Sequence, residues 1–228
     1  MCCEGCRGEP RVWCESIIPT FLNQNGRWIP SKNMPVPSMI GCDRPVKQRI
    51  AYLGDSITQG IGTVHNSYTH WNSILSQTLG FGNAYWNLGL GFGRADDAAS
   101  NGAWLFKAKQ ADVVFVCFGV NDILQNFDEV TLRSNIVKIV DHLSKAGIKV
   151  ILQTIPPFDY NEKHCVIWDN VNHFIKNELS QNHLVFDNVP VLSDHKKGPQ
   201  FAKYGGHPDA EGCALWAKCL GDFIIKQI

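Results

Sequence analysis

The pattern of apolar and polar positions changes near residue 49. From there on, short apolar runs alternate with longer amphipathic stretches. Residues 49–53 form an apolar run closed by Gly54, which predicts a buried strand. Residues 68–79 place Trp71, Ile74, Leu75 and Leu79 at helical spacing. Residues 84–90 predict a second strand, and residues 96–109, with Ala98, Ala99, Leu105 and Phe106, a second helix. Residues 112–118 read Asp-Val-Val-Phe-Val-Cys-Phe, the unbroken apolar run expected of a central parallel strand. Val130, Ile136, Val137, Val140 and Leu143 make a stripe over 129–146 that stops at Gly147. Residues 149–155 predict another buried strand, halted by Pro156 and Pro157. A helix follows over 168–179, a short strand over 184–186 and a last helix over 209–228.

Strand and helix alternate about five times. Such alternation implies a parallel sheet covered by helices on both faces. Ligands of such folds sit at the carboxyl ends of the strands, so chemistry should lie in the loops that follow strands. Residues 1–48 read differently. Pro19, Pro30, Pro35, Pro37 and Pro45 punctuate a stretch with no sustained period. Trp13, Phe21, Trp28, Ile29 and Met39 are apolar enough to lie along a surface. The expectation is an extended arm over 1–48, or the remnant of an upstream domain, attached to one domain over 49–228.

Composition narrows the function classes. The 228 residues carry 21 basic and 21 acidic side chains, a balance that gives no electrostatic reason to expect nucleic acid as a partner. No apolar run is long enough to span a bilayer, and the polar N-terminus does not read as a secretory signal. Cytoplasmic residence is the resulting expectation. Of nine cysteines, Cys2, Cys3, Cys6 and Cys14 crowd the first residues. Cys3 and Cys6 form a C-x-x-C pair, but Cys14 and Cys42 do not supply a matched second pair, so free thiols are favoured over a zinc site. Cys117, Cys213 and Cys219 lie in apolar contexts that suit small core residues.

Four loops meet the demand for chemistry after strands. Gly-Asp-Ser at 54–56 follows the first strand, where Ser56 can attack a carbonyl while its own N–H faces the developing oxyanion. A glycine loop over 87–94 holds Gly89, Gly91 and Gly93. Gly-Val-Asn-Asp at 119–122 follows the strongest strand, with Asn121 able to donate through its amide. His207-Pro208 precedes the last helix, and a histidine is suited to general-base work near neutral pH. Each has a plainer reading: Ser56 as a helix cap, Asn121-Asp122 as a turn, His207 as the start of a helix.

In this order, Gly-Asp-Ser, Gly-x-Asn-Asp and His-Pro resemble the SGNH (GDSL) hydrolases over most of the chain from Arg49 onward. The resemblance implies a flavodoxin-like three-layer α/β/α sandwich with about five parallel strands. It implies ester hydrolysis through an acyl-serine, with Ser56 as nucleophile, His207 as base and Asn121 as oxyanion donor, and it implies neither a metal nor an organic cofactor. Two positions depart from the pattern. The family commonly has Asp three residues before the histidine; here that residue is Tyr204. His207 would then work in a dyad, or Asp209 or Asp194 would substitute. The family's oxyanion glycine falls five residues after an Asn such as Asn87, where this chain has Phe92 between Gly91 and Gly93. Of these two glycines Gly93 is favoured. The expected substrate is a small acyl ester, an acetylated sugar first. The alternative is a ligand- or carbohydrate-binding module on the same fold that has lost turnover, for which Tyr204 is the motive. Trp168 is a candidate platform for a sugar ring.

Overall fold

The structure, a computed structural model, describes residues 20–31, 43–64, 67–193 and 198–226. The chain divides into two units, Met1–Pro45 and Val46–Ile228. In the first, β1 (Thr20–Gln24) and β2 (Arg27–Ser31) pair as an antiparallel hairpin. Its turn is Asn25-Gly26, with φ of +53° and +81°. Asn-Gly favours the tight turn whose two central residues are left-handed. The sequence pattern predicted irregular chain here, because the prolines masked this two-residue signal.

The second unit is built on a five-stranded parallel sheet of β3 (Arg49–Gly54), β4 (Ala84–Gly89), β5 (Val113–Cys117), β6 (Lys149–Gln153) and β7 (Leu184–Phe186), in the order β4-β3-β5-β6-β7. This is the flavodoxin-like order, whose direction of winding reverses between β3 and β5. There Gly54 pairs with Gly89 on one side and Cys117 on the other. The loops after these three strands therefore leave from one level of the sheet.

The intervening helices are α1 (Ser56–Gln59), α2 (Trp71–Leu79), α3 (Ala95–Ala99), α4 (Ala103–Ala108), α5 (Val120–Leu124), α6 (Glu129–Lys145), α7 (Glu162–Asn177), α8 (Val189–Leu192) and α9 (Ala210–Ile225). One group, α2, α8 and α9, packs together, and so does a second, α3, α6 and α7. Trp71 of α2 stacks on Trp216 of α9 with centroids 4.8 Å apart, and Trp216 Nε1 donates to Gln153 Oε1 of β6 at 2.8 Å. On the two faces of the sheet the strands bury Tyr52, Leu53, Phe115, Val116, Ile151 and Leu152. A small antiparallel pair, β8 (Ala202–Tyr204) and β9 (His207–Pro208), precedes α9.

Two helices differ from the periodicity. The stretch 96–109 is broken into α3 and α4 at Asn101-Gly102, Asn101 being left-handed at φ +58°. Helix α7 starts six residues earlier than its apolar stripe, because Asn161 accepts the His164 N–H at 2.9 Å and caps it. Among the described residues no helix is long and apolar enough to cross a membrane.

Candidate active site

Ser56 is the first residue of α1, directly after β3. The cap of this helix is Asp55, whose Oδ1 accepts the Ile57 N–H at 2.9 Å. That leaves the Ser56 hydroxyl outside the capping arrangement. Its Oγ lies 2.8 Å from His207 Nε2, across 151 residues of sequence. His207 sits in β9, and the cap of α9 is Asp209, whose Oδ1 accepts from Gly212 N–H at 2.9 Å. The caps of these helices are thus Asp55 and Asp209, and Ser56 and His207 form a hydroxyl–imidazole pair. Asp209, one candidate to orient His207, is engaged in capping; Asp194 and the Tyr204 side chain lie outside the described residues.

The glycine loop is framed tightly. Gly93 N–H donates to Leu90 carbonyl at 2.9 Å, closing a turn over residues 90–93. Phe92 occupies its third position at φ +60°, the left-handed conformation that glycine favours. So the residue at the family's glycine position keeps a glycine-like backbone, while Gly93, favoured from sequence, has its N–H engaged within the loop. Gly93 is small for another reason: a Cβ there would lie 2.6 Å from Trp104 Cη2. Gly91 lies against Gln59 of α1. The Phe92 ring is 73% exposed.

Asn121 and Asp122 are buried in α5, not in an open turn. Asn121 Nδ2 donates to Gly93 carbonyl at 2.9 Å. The Asp122 carboxylate accepts the Ala95 N–H at 3.0 and 3.2 Å. Arg94 adds a fork to Asp96, a bond to Gln125 Oε1 at 2.8 Å and a stack over Phe127 at 4.6 Å. The loops after β4 and β5 are thus fastened together beside Ser56. Burial, with a smaller contribution from the Asp122 charge, raises the Asp55 carboxyl to about 7. Burial, with the nearby Asp96 charge, raises Asp122 to about 6. Burial likewise pushes the Cys117 thiol upward.

Some neighbours were not legible in the sequence. The Phe158 ring meets the His207 ring edge to face, 5.2 Å between centroids. Nothing in the run Pro156-Pro157-Phe158 announces that contact. Trp168 is not a platform: it is 1% exposed and donates Nε1 to Ile155 carbonyl at 2.8 Å. A groove of about 300 Å³ along α7, bordered by Trp168, His173, Lys176 and Val189, includes neither Ser56 nor His207. Cys117 and Cys213 are buried, as expected of core thiols, while Cys219 is only partly buried at the edge of the core. The N-terminal cysteines lie outside the described residues; among those described, no group of three His, Cys, Asp or Glu could hold a metal ion.

Solved structures with a similar fold and one family profile match this chain. The fold superimposes on a member of the lipolytic protein G-D-S-L family from Veillonella parvula, at 21% identity and a TM-score of 0.66, covering 79% of this chain and 99% of that one. It also matches a carbohydrate acetylesterase from Sinorhizobium meliloti (18% identity, TM-score 0.60, 80% and 100% covered). A third match is a carbohydrate esterase family 3 protein from Talaromyces cellulolyticus (17%, TM-score 0.59, 78% and 97%). The comparison with curated proteins finds no match. The sequence profile of the GDSL-like Lipase/Acylhydrolase family matches residues 52–215, most of the chain, and the chain belongs to that family of hydrolases.

Proposed function

We propose that this chain is a serine carboxylic ester hydrolase acting on small acyl esters, acetylated carbohydrates first among them. The observation that carries the reading is the 2.8 Å approach of Ser56 Oγ to His207 Nε2 at the switch point of the sheet. With its proton on Nδ1, the imidazole presents Nε2 as acceptor. It takes the hydroxyl proton as Oγ attacks the ester carbonyl, then returns a proton to the departing alkoxide, leaving an acyl-serine. Water, deprotonated by the same nitrogen, releases the acid and restores Ser56.

The tetrahedral oxyanion is held by the Ser56 N–H and the second amide hydrogen of Asn121. A third donor comes from the turn over 90–93. Gly93 N–H is bonded to Leu90 carbonyl, so the N–H of Phe92 or Gly91 takes this part. The acetylated-sugar assignment rests on likeness to the Sinorhizobium and Talaromyces esterases and on the exposed Phe92 ring, an apolar face of the kind sugar rings stack on.

Hydrolysis of 4-nitrophenyl acetate by wild type, Ser56→Ala and His207→Ala tests the reaction. Turnover in the wild type that is lost in both variants supports it. No wild-type turnover on acetyl or longer esters transfers the assignment to a binding module. Acetate release from acetylated xylan, compared with longer acyl esters, tests the substrate.

A further inference from the structure

We infer that Phe158 is a positioning residue that holds the His207 imidazole in line with Ser56; this rests on the ester-hydrolase reading above. The loop that follows β6 is fastened directly to the segment bearing the histidine. Asp159 N–H donates to Gly205 carbonyl at 2.8 Å, and the Phe158 ring packs against His207 at 5.2 Å with the planes 75° apart. Gly206, at φ +124°, presses its backbone onto Phe158: a Cβ there would fall 2.6 Å from Phe158 Cδ2 and 2.7 Å from its Cα. On another side, a Cβ on Gly62 would lie 3.1 Å from His207 Cβ and would collide with Pro208 carbonyl. The histidine segment is therefore walled by the loop after α1 and by Phe158.

Phe158 is itself held from the core outward. It is 9% exposed and packs on Tyr160 at 6.0 Å, which packs on Trp168 at 6.0 Å. Trp168 is anchored by its bond to Ile155 carbonyl in the same loop. This aromatic row transmits the position of α7 to the imidazole. Cores resist small displacements, and a reacting group displaced by about 1 Å costs on the order of 10²-fold in rate. A ring packed against an imidazole restricts its rotation without a charge of its own.

The test compares Phe158→Ala, Phe158→Leu and Phe158→Tyr with wild type on 4-nitrophenyl acetate. Rates are normalised to the fraction of Ser56 that reacts with a fluorophosphonate, and Tm is measured alongside. Positioning predicts a fall in kcat of about 10²-fold in Phe158→Ala with KM unchanged. It predicts a smaller loss in Phe158→Leu, which keeps bulk without a ring, and recovery in Phe158→Tyr, which keeps the ring. A purely structural role would lower Tm and the active fraction but leave the normalised kcat at the wild-type value, and that result overturns the inference. So does an effect confined to KM, or a Tyr variant as slow as Ala. If Phe158→Ala does not fold, the Leu–Tyr pair decides by the same readout. A wild type with no turnover overturns the hydrolase reading itself, which an active wild type with indifferent Phe158 variants does not.

Discussion

Asp55→Asn isolates the electrostatic cost of the carboxylate next to Ser56. Asp55 is 2% exposed, and burial raises its carboxyl from 3.8 to about 7. Between those values the folded protein holds a proton that the unfolded chain has released. The Asp55 contribution to stability therefore falls as pH rises through this window, and it flattens above about 7. The Asp55 contribution to this fall between pH 5 and pH 8 is about 2–3 kcal/mol, since each tenfold difference in proton affinity between the folded and unfolded chain is worth about 1.4 kcal/mol. Asparagine keeps the oxygen that accepts the Ile57 N–H, so the cap survives and only the titration is removed. Urea denaturation of both proteins at pH 5 and pH 8 measures the effect. The wild type should lose about 2–3 kcal/mol more than Asp55→Asn across that interval. Equal losses in the two proteins would refute the reasoning, because Asp55 would then titrate no differently folded and unfolded.

Under the proposed mechanism Asn121→Ala removes an oxyanion donor and should lower kcat about 10²–10³-fold, read as initial rates on 4-nitrophenyl acetate. Gly93→Ala drives a methyl group toward Trp104 and should cost about 1–3 kcal/mol in urea denaturation. Phe92→Gly relieves a left-handed residue whose ring is mostly exposed. It should gain about 1 kcal/mol and leave hydrolysis of 4-nitrophenyl acetate intact, since the backbone N–H remains.

Much of the sheet was legible because its central strands are buried on both faces and read as unbroken apolar runs, clearest over Val113–Cys117. The strand-end rule then directed attention to Ser56, Asn121 and His207, and the structure brings Ser56 and His207 to 2.8 Å and fastens Asn121 to the glycine loop. What periodicity missed was set by short-range chemistry or by tertiary contact. Asn25-Gly26 makes a hairpin amid prolines, Asn101-Gly102 cuts a helix in two, and Asn161 starts α7 before its apolar face begins. The choice among the loop glycines could not be made from spacing. It depends on which N–H closes the turn over 90–93, a backbone property that Phe92 adopts despite its side chain. Phe158 was invisible for a similar reason: an aromatic after two prolines reads as core until the fold lays it against an imidazole.

Covalent labelling tests the central claim most directly. Wild type, Ser56→Ala and His207→Ala are treated with a fluorophosphonate, digested, and the modified residue located by mass spectrometry. A nucleophile activated by His207 predicts one stoichiometric adduct on Ser56, formed much more slowly in His207→Ala and absent from Ser56→Ala. No adduct in the wild type, or an adduct that persists in Ser56→Ala, would contradict Ser56 as the nucleophile.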